Sequence, residues 1–178
     1  MTPVSGTIAR DGDARSARGE ILIVGLGSPH GDDQIGWAVV ERLCPRLPVG
    51  ATARAVGGGL DLLACLEGQD TAIVVDAAMP SGRPGRVRVF EWPCPDLAGC
   101  RPMSTHRPGL VEALRLAEVL GRLPRRVRIY AVEAEAVQPV AALSPRAATG
   151  VDAVADAILD DLEAGIGPFV SRGGPGDA

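Results

Sequence analysis

The sequence predicts an α/β fold: a three-layer sandwich with a twisted, mostly parallel five-stranded sheet flanked by helices. Three observations predict it. Short apolar runs, Ile21-Leu22-Ile23-Val24 and Ala72-Ile73-Val74-Val75, have the length and bounding turns of buried strands. Between them lie stretches with apolar residues at helical spacing, such as Ile35, Val39, Val40 and Leu43. Strands that alternate with helices in this way imply parallel crossovers.

The elements follow in order. A first strand covers about residues 20–26, and a helix runs from about 33 to 45, stopping before Pro45. A short strand near 51–56 leads into Gly57-Gly58-Gly59, and a short helix follows over about 60–67. The run from Ala72 to Asp76 is a buried strand ending in an acid. After the turn Ser81-Gly82-Arg83-Pro84-Gly85, residues Val87, Val89 and Phe90 mark another strand. A long helix is expected over about 107–122, with Leu110, Leu114, Ala117 and Leu120 as its stripe. Ser104 or Thr105 is its expected cap, and Pro108 suits its first turn. Val127, Ile129, Ala131 and Val132 form the fifth strand, and the last helix runs from Ser144-Pro145 to about 163. We expect residues 1–19 to form a disordered arm, 20–165 a single α/β domain, and 166–178 a flexible tail.

Composition narrows the function. The 178 residues are 46% apolar, which suits one domain with a sizeable core. Aromatics make up 3% and the net charge is -4 without a dense basic run, which argues against a nucleic-acid partner. No apolar run reaches the roughly 18–20 residues of a membrane helix. The first twenty residues lack the apolar middle of a secretion signal, so a cytoplasmic protein is expected. There is no Lys, which excludes a P-loop lysine or a Schiff-base enzyme. Cys44, Cys65, Cys94 and Cys100 form no C-x-x-C pair and read as reduced thiols.

The segment Gly25-Leu26-Gly27-Ser28-Pro29-His30-Gly31-Asp32-Asp33-Gln34-Ile35-Gly36 is the most informative. Strand, glycine loop and helix is the grammar of a phosphate loop, but two carboxylates repel a polyanion and attract a cation. A dinucleotide loop also needs glycine where His30 stands. In such sheets ligands bind beyond the carboxyl ends of the strands. Asp32 and Asp33 follow the first strand, Asp76 ends the third, and His106 lies near the start of the long helix. If strands one and three are neighbours, a divalent ion finds two carboxylates and an imidazole on one rim. Each residue also has a plainer role open to it. Asp32 or Asp33 can cap the first helix, Asp76 can bind nearby N–H groups, and His106 can cap or pack. Gly25, Gly27 and Gly36 can simply allow close helix–strand packing, and Gly57-Gly58-Gly59 reads best as a turn.

Four segments, in order, make the chain resemble the nickel-iron hydrogenase maturation proteases. They are the loop Gly25–Gly36; Val75-Asp76-Ala77 with the later Pro84-Gly85; Ser104-Thr105-His106-Arg107-Pro108-Gly109-Leu110; and Ala142-Leu143-Ser144-Pro145. The family often has Asn where Ser28 stands and Gly where Gln34 stands, and some members have Glu at the position of Asp33. The resemblance implies an endopeptidase that removes the C-terminal extension of a hydrogenase large-subunit precursor after nickel insertion. It carries over Asp33, Asp76 and His106 as metal ligands and catalytic residues. The nickel is then the substrate's own rather than a resident cofactor. Asp32 or His30 is left to handle the proton. A metal-sensing chaperone that binds the same subunit without cutting it is the alternative reading, and a dinucleotide-binding oxidoreductase the weaker one.

Overall fold

The computed structural model describes residues 21–95, 97, 109–135 and 142–165. The segments expected as an N-terminal arm and a C-terminal tail lie outside them. Five strands build one sheet: β1 (Ile21–Leu26), β2 (Ala51–Val56), β3 (Thr71–Ala78), β4 (Val87–Glu91) and β5 (Arg126–Glu133). Their spatial order is β2-β1-β3-β5-β4. All pairings are parallel except β4 with β5, which is antiparallel. The helices are α1 (Ile35–Leu43), α2 (Gly59–Leu66), α3 (Leu110–Val119) and α4 (Pro145–Ala164). The expected mostly parallel sandwich is what forms.

Strand periodicity sorts the core into two layers. Leu22, Val24, Leu26, Ala72, Val74, Val127 and Ile129 face α2 and α3, where they meet Leu62, Leu66, Leu110 and Leu114. Ile23, Ile73, Val75, Tyr130 and Val132 face α1 and α4, against Ile35, Val39, Leu43, Val151, Val154 and Ile158. Each fully buried aliphatic side chain contributes about 1.5–3 kcal/mol, which is what holds helices to both faces.

Four boundaries differ from expectation. Helix α1 begins at Ile35 because residues Gly31–Gln34 form a separate 3-10 turn, and its N-cap residue is Gln34. Neither Asp32 nor Asp33 caps it, since both carboxylates have other partners. Helix α3 begins at Leu110 with Gly109 at its N-cap position, and the expected caps Ser104 and Thr105 lie outside the described residues. The same helix ends early: Gly121 turns left-handed (φ 66°) and Arg122 N–H bonds back to the Ala117 carbonyl at 2.8 Å. Strand β3 is longer than expected and carries Asp76 near its end rather than at it.

Candidate active site

The site grows from the pairing of β1 with β3, in which Gly25 lies opposite Val75. Neighbouring parallel strands bring the loop after β1 and the carboxyl end of β3 to one rim, as the sequence suggested. The loop is tightly closed. Ser28 N–H bonds the Asp33 carbonyl, and Asp33 N–H the His30 carbonyl, each at 3.1 Å. The Gln34 amide donates to the Gly31 carbonyl at 3.0 Å. The glycines serve packing. A Cβ on Gly27 would lie 2.2 Å from the Asp33 carbonyl oxygen, so close backbone packing accounts for this glycine.

The two neighbouring acids of this loop take different roles. Asp33 is half-buried at the rim, and its Oδ2 accepts a hydrogen bond from the Ser28 hydroxyl. Asp32 points inward and is 1% exposed. Its carboxylate accepts the Glu135 and Ser144 N–H groups, both at 2.7 Å, and the Ser144 hydroxyl at 2.9 Å. A buried carboxylate bound by such donors is a structural acceptor, which removes Asp32 as the proton carrier. Ser144 in turn caps α4, accepting from Ala147 N–H at 3.2 Å.

Asp76 is half-buried near the end of β3, and its Oδ1 accepts the Ala77 N–H at 2.9 Å. Burial, and then the charge of Asp33, push its carboxyl up to about 7 against the smaller opposing effect of that hydrogen bond. The charge of Asp33 is thus felt at Asp76, a setting that a nearby cation stabilises. His30 is exposed on the same loop. His106 lies outside the described residues. Among the described residues, no group of three or more His, Cys, Asp or Glu side chains is placed to hold a metal ion.

One structural acid was missed in the sequence. Glu133, at the end of β5, is 1% exposed. It accepts Ser81 N–H at 2.5 Å, the Ser81 hydroxyl at 2.6 Å and Arg83 N–H at 2.6 Å. It thereby pins the turn that leaves β3 just after Asp76. An acid closing the apolar run Ile129–Val132 was the available signal, the same one that drew attention to Asp76.

A mostly parallel sheet with acids after β1 and at the end of β3 is ill suited to a nucleotide's phosphates. A family model described as hydrogenase maturation protease matches residues 55–161. The chain belongs to the hydrogenase maturation protease family. The matched stretch includes Asp76 and begins after the loop that bears Asp33. A structure of an endopeptidase from Escherichia coli aligns with TM-score 0.72 and 27% identity, covering 82% of this chain and 94% of that one. The NiFe hydrogenase maturation protease HybD from Thermococcus kodakarensis aligns with TM-score 0.67 and 25% identity, covering 80% and 98%. The hydrogenase expression/formation protein HupD of Bradyrhizobium diazoefficiens is 33% identical over 112 residues, 60% of this chain. The chain spans 58% of that relative's length. No helix among the described residues is long and apolar enough to cross a membrane.

Proposed function

We propose that the protein is an endopeptidase that removes the C-terminal extension of a nickel-iron hydrogenase large-subunit precursor after nickel insertion. The observation that carries this reading is the coupling of Asp33 to Asp76 on one rim. A carboxyl whose proton affinity is raised by burial and by a neighbouring acid's charge gains most when a divalent cation arrives. Nickel bound in the precursor supplies that cation, and His106 is the third ligand of the proposed set. The protein then reads the nickel as part of its substrate and needs no resident ion.

The proposed chemistry is hydrolysis. Docking on the nickel places the scissile peptide on the rim. Water adds its oxygen to the scissile carbonyl carbon, the C–N bond breaks, and the leaving amine takes a proton. Leu60 and Met79, 60% and 43% exposed at the starts of α2 and of the segment after β3, offer apolar contacts to a peptide lying there. This reading implies the cytoplasm as the compartment, and the free thiols of Cys44, Cys65 and Cys94 are in keeping with it.

The test is the mass of nickel-loaded precursor before and after incubation. Wild-type protein is expected to release a C-terminal peptide, and Asp76→Ala to release none. A stable complex with no mass loss favours a metal-sensing chaperone. Cleavage by Asp76→Ala at the wild-type rate rejects the role given to Asp76.

A further inference from the structure

We infer that Asp32 is a positioning residue for the reaction, bracing the turn that presents Asp33. The inference rests on the proposed role of Asp33. Asp32 and Asp33 share the 3-10 turn Gly31–Gln34, so the place of one restricts the place of the other. Asp33 faces the rim and Asp32 the interior. The carboxylate of Asp32 gathers donors from two elements, Glu135 N–H just past β5, and Ser144 N–H and hydroxyl at the start of α4. Those donors are over 100 residues away in sequence, so the turn is tied to the body of the fold rather than to itself.

The end of β5 braces the other carboxylate as well. Ala78, two residues after Asp76, lies opposite Glu133 in the sheet, and the Glu133 side chain holds Ser81 and Arg83. Two residues on, Glu135 N–H meets Asp32 at 2.7 Å. A segment of three residues, Glu133–Glu135, thus anchors the backbone next to both Asp33 and Asp76. Two like-charged groups drift apart unless the frame holds them, and this frame is built from buried charge-assisted hydrogen bonds. The acid at position 32 is required by its donors. An Asn there would turn its NH2 group toward N–H groups that need an acceptor.

The experiment compares cleavage of nickel-loaded precursor with stability. Wild type, Asp32→Asn, Ser144→Ala, Ala153→Gly and Asp33→Ala are assayed well below every Tm. Ala153 is exposed on α4 and touches none of this network, so Ala153→Gly lowers Tm through helix propensity alone. A positioning role predicts that Asp32→Asn loses about 10–100-fold in kcat/KM, the usual scale for groups that orient a metal ligand, while Ala153→Gly keeps the wild-type value. If Asp32→Asn behaves like Ala153→Gly, the inference is overturned. If Asp32→Asn does not fold, Ser144→Ala decides: it removes the hydroxyl's bond to Asp32 along with the α4 cap, and losing the first is expected to cost about 3-fold; an unchanged kcat/KM overturns the inference. Asp33→Ala separates the two levels. Full activity in that variant rejects the site itself, and the brace with it. An inactive Asp33→Ala beside a fully active Asp32→Asn rejects the brace alone.

Discussion

Gly25 and Gly36 lie backbone against backbone: a Cβ on Gly25 would sit 2.0 Å from the Gly36 carbonyl oxygen. A Cβ on Gly36 would in turn sit 2.1 Å from the Leu26 carbonyl oxygen. The first helix can follow the first strand this closely only because both positions lack side chains. Backbone cannot rotate away as a side chain can, so Gly25→Ala is expected to cost at least about 3 kcal/mol. Gly50 is the contrast, with open space around it and a φ of 92°. Gly50→Ala is expected to cost only the left-handed backbone penalty, about 1–2 kcal/mol. Urea midpoints of the two variants check the difference.

That pair also explains which parts of the molecule were legible in the sequence. The apolar runs of β1 and β3 have one interpretation each, because both faces of these central strands pack against helices. The same glycines that packing demands also look like a phosphate cradle, and only the position of the backbone decides between the two. Asp32 and Asp33 were inseparable for the same reason. They are adjacent and identical, and their roles part only because a 3-10 turn sends one inward and one outward. The partners of Asp32 are set by folding, since Glu135 and Ser144 come to it from the other end of the chain. Glu133 was legible in principle, as an acid that ends an apolar strand, but nothing local named Ser81 and Arg83 as its donors.

Arg128 tests how much a charge depends on burial. Its side chain, 6% exposed, bonds Glu91 at 2.5 Å and also Asp161, which accepts the Tyr130 hydroxyl at 2.6 Å. Asp161→Ala leaves the buried guanidinium short of a partner and is expected to cost about 3 kcal/mol. The Arg42–Asp152 pair between α1 and α4 is open to water, with side chains 58% and 53% exposed. Asp152→Ala is expected to cost under about 1 kcal/mol. Denaturant titration of both variants in one buffer gives the comparison.

Glu133 predicts an acid limb in the stability profile. Burial alone would raise its carboxyl, but bonds from the Ser81 hydroxyl and from Arg83 and Ser81 N–H, with the charge of Arg88, outweigh burial and hold it below 4.5. The folded state then binds fewer protons than the unfolded chain in that range, so stability rises with pH through it. The contribution is complete above the ordinary glutamate value and is lost as pH falls through the folded one. Glu133→Gln is expected to cost about 2–3 kcal/mol at neutral pH, by turning an amide toward three donors. Its stability should also fall less steeply than that of wild type in acid. Melting curves from neutral pH down to about pH 3 measure both effects.

Asp76 predicts the opposite slope. Its ordinary value is 3.8 and burial with Asp33 raises it to about 7 in the folded protein. Between those values the folded state holds a proton that the unfolded chain has released, so this group's contribution falls as pH rises across the window. Asp76→Asn has no such proton to lose. With a chelator present, the variant is expected to match wild type near pH 4 and to exceed it by about 1–2 kcal/mol near pH 8. That figure is discounted from the full shift because the side chain is partly open to water. A variant that gains stability while losing cleavage would mark Asp76 as a group kept for function.

Ser28 connects the sequence's departure from its family to the site. Its hydroxyl donates to Oδ2 of Asp33, which restrains the plane of that carboxylate. The family residue at this position is often Asn, whose amide also carries a donor. Ser28→Ala removes the donor and lets the carboxylate rotate, so about a 10-fold loss of kcat/KM is expected with little change in Tm. Ser28→Asn restores a donor at the same point on the loop and should recover most of that activity. Rates on nickel-loaded precursor for the three proteins decide the matter. Equal loss in Ser28→Ala and Ser28→Asn would mean that the serine's size, rather than its hydrogen bond, is what Asp33 requires.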